Sequence, residues 1–366
     1  MYSIRKCLGV ISGACALLLA GTATGAVVFV DVDSPGPTRD GTSWGTAYQT
    51  IVAGVTAAGS GDEVWVADGT YVGSVPLKSG VGVYGGFSGL ESSLSERNWV
   101  THSATIQSSS TVGSFHSAVV GAVVTNATLS GFTITGATAS GVRLFNCTAC
   151  VIEHCMIRNN ESGIGGGGVL IDGGAPIIRN CVITANDAPY GGGIYMQNEA
   201  EPVIQNCTLS GNTLYWGQFW SISGANPILR NLIIDDSMDY AAVFYDITSL
   251  PQEMSNCLLH DAPTALVYIL GAMTQNNLAQ LNAQTWAGGN LEGDPAFVNR
   301  AAGNFHLTSA SPALDTGLAT GAPTTDRDGA TRPYDVPSVG QAGADAFDIG
   351  AYEYQGSAAV TEWELY

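Results

Sequence analysis

Five short segments of this sequence, at 151–155, 177–181, 203–207, 228–232 and 253–257, are written almost alike: a largely apolar start, then His-Cys, Asn-Cys, Asn-Cys, Asn-Leu and Asn-Cys. Successive copies lie 26, 26, 25 and 25 residues apart. A unit this short cannot bury its own apolar side, so neighbouring copies must stack and share one continuous core. Each copy has room for two short strands around the Asn-Cys pair. A third strand follows a glycine cluster, at 169–171, 194–196, 219–221, 244–246 and 267–269. Three strands per turn predict an all-β chain wound as a right-handed parallel β-helix, a solenoid whose coils rise by roughly 4.8 Å, the usual spacing of paired strands.

In such a stack, equivalent residues lie above one another. Cys155, Cys181, Cys207 and Cys257 form one inward column, with Leu232 in the gap, and act there as small hydrophobic residues. Asn180, Asn206, Asn231 and Asn256, with His154, fit a tight turn that needs a left-handed backbone, and their side chains can bond along the stack. Cys147 and Cys150 lie outside this ladder, and a local disulfide between them is expected. Tyr48, Ile51, Val52 and Val55 recur at helical spacing, so a short capping helix is expected at 48–58 before a first strand at 64–66.

The chain opens with Arg5 and Lys6, an apolar run from Leu8 to Ala20, and small residues up to Ala26, which reads as a secretory leader over 1–26. No segment is long and apolar enough for a membrane span. The formal net charge is −19, and losing Arg5 and Lys6 makes the remainder more acidic still. Nucleic acid and anionic membranes are therefore excluded as partners. A polyanionic glycan would need calcium to bridge the two surfaces. Calcium is the one cofactor left open, with Asp31 and Asp33 or the Asp326-Arg327-Asp328-Gly329 turn as loose ligands.

The stretch at 61–71, Gly-Asp-Glu-Val-Trp-Val-Ala-Asp-Gly-Thr-Tyr, resembles the opening coil of the pectate-lyase-like and polygalacturonase-like superfamily. The end resembles the choice-of-anchor Q region of secreted bacterial β-helix proteins. It carries Asp294-Pro295-x-Phe297, Phe305-His306-Leu307, Ser311-Pro312-Ala313-Leu314-Asp315, Asp326-x-Asp328-Gly329, Arg332-Pro333 and 348–353, Asp-Ile-Gly-Ala-Tyr-Glu. The resulting plan is a leader at 1–26, a capped β-helix at 27–290 with its clear repeats at 129–290, a closing segment at 291–354 and a tail at 355–366. The resemblance implies a glycan groove along one sheet and, by fold analogy alone, lyase or hydrolase chemistry. The Gly-Asp-Asp, Gly-His-Gly and Arg-Ile-Lys motifs of polygalacturonases and the Arg-x-Pro-x-Arg-like context of pectate lyases are missing. The tail has no sorting signal, so a released monomer is expected.

Strand alternation places Phe145, Leu170, Tyr195, Trp220, Tyr245 and Tyr268 on the outside of the third strand, one per coil. Such rings suit stacking on sugar faces. Asp235, Asp236, His260 and Asp261 fall at equivalent positions of adjacent coils and are the candidate acid–base groups for glycan cleavage. Glu161, Asp187 and Asp239 flank the strip, and Asp172 and Asp246 border its other side. Recognition of extracellular polysaccharide is the expected function. The alternative is a non-catalytic surface, adhesion or scaffold protein.

Overall fold

The computed structural model describes residues 25–109, 116–270 and 274–356. The expected leader lies outside them but for its last two residues, and the expected tail but for its first two. The repeats wind into three parallel ladders. The first runs through 151–153, 177–179, Val203–Gln205, Ile228–Arg230 and Glu253–Ser255. The second follows a tight turn and runs through Met156–Arg158, Val182–Thr184, Thr208–Ser210, Ile233–Asp235 and Leu258–Leu259, within a sheet of nine strands. The third runs through 142–145, 169–172, Ile194–Gln197, Phe219–Ser221, Tyr240–Phe244 and Ala265–Ile269. This is the all-β parallel solenoid that the repeat predicts. Apolar alternation sends Ile178, Ile183 and Ile194, and their counterparts in each coil, into one fully buried core.

The cysteine column behaves as its chemistry suggests. Cys155, Cys181, Cys207 and Cys257 are buried free thiols, with Leu232 buried beside them. Each thiol donates to the carbonyl two residues earlier, at 3.2 to 3.4 Å. Cys147 and Cys150 are also buried free thiols, in place of the expected disulfide. Both line the core, and the Cys150 thiol donates to the Val124 carbonyl at 3.3 Å.

His154, Asn180, Asn206, Asn231 and Asn256 all have φ between 48° and 53°, the left-handed turn that the repeat requires. Their side chains do more than bond along the stack. Asn180 donates to the Thr325 carbonyl at 2.7 Å and Asn256 to the Thr316 carbonyl at 2.8 Å. Asn231 donates to the Leu318 carbonyl at 2.9 Å and accepts from the Leu318 N–H at 2.7 Å. The column is thus a rail on which the C-terminal segment docks. A second amide ladder stands at the next turn: Asn160 donates to Asn186, and Asn186 to Asn212, each at 2.9 Å, in the interior. Each of these amides donates or accepts at least one hydrogen bond, which offsets most of the cost of burying it, although the Asn180 carbonyl oxygen is left without a partner among the described residues.

Both ends of the core are covered. At the start, the helix Ile51–Ala57 is capped by Thr50, which accepts from Ala53 N–H at 3.2 Å. Gly54 lets it approach closely, since a Cβ there would stand 2.5 Å from Val30 Cγ2. At the far end, Leu281 of the helix Leu278–Asn282 enters the core, and Trp286 meets Phe244 edge to face at 5.7 Å. Residues 291–356 then run back along the outside of the second ladder. Leu307, Ala313, Leu314 and Ile349 bury Ile233 and Leu258, while Phe305, Ala351 and Tyr352 bury Val182. Inside this segment the Arg332 guanidinium pairs with Glu353 at 3.1 Å, both side chains fully buried, and donates to the Asp348 and Gly350 carbonyls.

Candidate functional site

The third ladder keeps its outward face clear of the C-terminal segment, and the aromatic residues lie there. Its register corrects the expected strip. Leu170, Tyr195 and Trp220 pair in line, but the next coil is two residues shorter, so Val243, not Tyr245, stands beneath Trp220, followed by Tyr268. Leu170 is flanked on its other side by Arg143, while Phe145 pairs with Asp172 in the neighbouring outward column. Tyr245 follows the last residue of its strand and is 39% exposed. Tyr195 and Trp220 are 8% and 3% exposed, so they support the surface more than they present it.

What presents the surface is a pair of loop strands that sequence reasoning missed. Asp187–Tyr190 and Thr213–Trp216 pair in parallel beside the ladder and place Tyr190 next to Trp216. Tyr190 lies over Trp220 at 4.9 Å, and Tyr245 touches Trp220 at 5.4 Å. Trp216 stacks on Tyr240 at 6.0 Å with the planes 12° apart, and Tyr240 meets Tyr268 at 5.0 Å. Trp216 meets Trp220 at 6.1 Å, so the six rings form one connected patch, and Tyr190, Trp216 and Tyr245 each leave 39 to 42% of their surface open. The sequence signal was present at Tyr190 and Tyr215-Trp216. Both sit in loops of length-variable coils, where strand alternation gives no direction.

The rim of this platform is acidic. Asp172 accepts from the Asn198 amide at 2.6 Å and Asp239 from the Thr264 hydroxyl at 3.1 Å. Burial and then the Asp172 charge push the Tyr195 hydroxyl above its ordinary pKa; burial and then Asp239 do the same to Tyr240. Asp246 is pushed up by partial burial, but bonds from Thr248, Ser249 and the Ser223 N–H outweigh this and hold it below its usual value. It caps the short 3-10 turn Ile247–Ser249.

The candidate acid–base residues divide. Asp235 and His260 do come together: His260 Nδ1 lies 2.7 Å from Asp235 Oδ1, and Asp235 is fully buried. The other Asp235 oxygen accepts from the Ser210 hydroxyl at 2.7 Å, and Arg300 of the C-terminal segment donates to Oδ1 at 2.7 Å. The His260 side chain is 27% exposed. Asp236 and Asp261 do not join them. They are exposed, with φ of 54° and 52°, and occupy the left-handed turn position held by Asn159, Ala185 and Gly211 in earlier coils. Aspartate tolerates that backbone, which accounts for both residues.

No group of three or more His, Cys, Asp or Glu residues gathers as a metal site among the described residues. The Asp326 carboxylate accepts from the backbone N–H groups of Asp328, Ala330 and Glu353, and these bonds hold the turn in place. No helix among the described residues is long and apolar enough to cross a membrane.

Comparison with known proteins agrees with this geometry at the level of fold. Residues 117–282 match the family model described as right handed beta helix region. No curated protein matches the chain. The crystal structure of pectate lyase Pel9A is similar at a TM-score of 0.50 and 12% identity, over 91% of this chain and 97% of that one. Pectin methylesterase from Aspergillus niger, in its deglycosylated form, aligns at a TM-score of 0.42 and 15% identity over 75% of this chain and 87% of that one. Identity this low carries no residue roles from one chain to the other. The chain is a right-handed parallel β-solenoid with the fold of the pectate lyase, and its residues 117–282 match the right handed beta helix family.

Proposed function

We propose that this is a secreted monomer that recognises extracellular polysaccharide on the aromatic face of the third ladder. The observation that carries the reading is the six-ring platform, with Tyr190, Trp216 and Tyr245 open. A soluble protein rarely leaves rings grouped on one face without a partner for them, and sugar rings offer flat C–H faces that match. The leader read at Arg5, Lys6 and Leu8 to Ala20 supports export. The similar fold of a protein named pectate lyase is consistent with a glycan partner. The test is retention of the purified chain on a panel of insoluble neutral and charged polysaccharides, with Trp216→Ala/Tyr245→Ala alongside. The double variant folds and loses retention if the reading holds. Equal retention by the folded double variant refutes it.

One observation favours a second reading, that the protein also cleaves its glycan. A buried carboxylate holding the Nδ1 side of a half-open imidazole is how a histidine is oriented as a general base. Release of reducing or unsaturated ends, measured with calcium and with EDTA, that disappears in His260→Ala establishes cleavage at this pair. No product from any polymer leaves recognition, or a display scaffold, as the role.

A further inference from the structure

We infer that the glycan held on the platform carries ammonium groups where it meets the rings: a polymer containing glucosamine with free amines. This rests on the recognition reading above and narrows its ligand. The faces of Tyr and Trp rings attract cations and do not favour anions. Around them stand Asp172 and Asp239, each with one oxygen engaged by Asn198 or Thr264 and the other without a hydrogen bond among the described residues. Asp246, beside Tyr245, adds a third carboxylate held in place by Thr248 and Ser249.

Among the described residues no Lys or Arg forms an ion pair with them. From 159 to 270 the only Lys or Arg residues are Arg179 and Arg230, and these pair with Glu153 and Glu253 on the first ladder. On the third ladder Arg143 pairs with Leu170, so it is a diagonal neighbour of Asp172 and stands three rungs, roughly 14 Å at the ordinary strand spacing, from Trp220. Its charge therefore bears on Asp172 but lies beyond the Debye length of about 8 Å, at physiological salt, from the rings at Trp220 and past it. A uronate sugar over Trp216, Tyr240 and Tyr245 would therefore meet the like charges of Asp239 and Asp246 and π-faces with no counter-ion beside them, whereas an amino sugar meets complementary ones.

The experiment is calorimetric titration of the full chain at low salt with three hexamers: glucosamine, N-acetylglucosamine and galacturonate. With two or three exposed ion pairs at stake, glucosamine should bind roughly tenfold tighter than its acetylated form, with galacturonate weakest. Asp172→Asn/Asp239→Asn should erase the glucosamine advantage and leave the acetylated hexamer unchanged, while Trp216→Ala weakens both. Galacturonate binding as tightly as glucosamine, or an advantage that survives the double Asn variant, overturns the ammonium assignment while recognition stands. No binding of any hexamer overturns the ammonium assignment, and retention on the polysaccharide panel then decides recognition separately.

Discussion

The outward faces of the second and third ladders come from the same repeat and have opposite fates. On the second, the apolar residues Ile233, Leu258 and Val182 are buried by the C-terminal segment, which the asparagine rail and the Arg300–Asp235 pair fix in place. On the third, the rings are held up by loop strands and left open. Nothing in the strands themselves dictates this difference. It comes from what lies outside them: side-chain amides that capture a passing backbone in one case, and acidic loops with no such amides in the other. Covered, an apolar face adds stability at roughly 25 cal/mol for each Å² removed from water; open, it forgoes that gain and is free for the ligand proposed above.

The largest way to break the covered face is Arg332→Ala. Its guanidinium is fully buried between Glu353 and the Asp348 and Gly350 carbonyls, so its loss strands buried charge and should cost about 3–5 kcal/mol in urea denaturation. Binding per folded molecule on the third ladder should not change. Asn231→Ala should cost about 2 kcal/mol, from two lost bonds to Leu318 and a left-handed backbone that alanine resists.

A pH dependence follows from the same segment. Burial, and then the charge of Glu353, pushes Asp348 up to about 8. Burial, against the pull of Arg332, pushes Glu353 up to about 7. Acids raised in this way bind protons more tightly folded than unfolded, so their stabilisation is full below the ordinary carboxyl pKa near 4 and is lost as pH climbs to about 8. His154 works in the other direction: burial lowers it to about 4, and its contribution is lost as pH falls below about 6.5. The two oppose each other below that point, so the urea midpoint should fall most clearly between about pH 6.5 and 8. Glu353→Gln should flatten that fall. The smallest effect on stability is expected from Trp216→Ala, about 1 kcal/mol or less for a ring already 39% exposed, although it acts directly on the proposed ligand.

The fold was legible because stacking forces equivalent residues into columns: the cysteine column, the left-handed asparagines and the three strands all follow from one period. The site was legible only in part. Trp220 and Tyr268 share one outward column as the alternation predicts, yet Tyr245 and Phe145 lie outside it, because a coil that loses two residues, as before Val243, or gains two, as after Arg143, keeps its inside–outside alternation while shifting its neighbours. Tyr190 and Trp216 lay in loops, where no periodicity fixes direction. Asp236 and Asp261 looked like chemistry because they sat beside Asp235 and His260, and they serve as turn residues. The rail was invisible for a different reason: its partners are backbone groups of a segment 60 or more residues away, and backbone groups leave no mark in a sequence.

The central claim is that the open ladder, and not the covered one, meets the glycan. Hydrogen exchange of the full chain with and without the glucosamine hexamer tests it most directly. Protection appearing at 187–190, 213–216 and 240–246, with 316–353 unchanged, is the predicted result. Protection confined to the C-terminal segment, or none at the aromatic loops under saturating hexamer, would contradict the account.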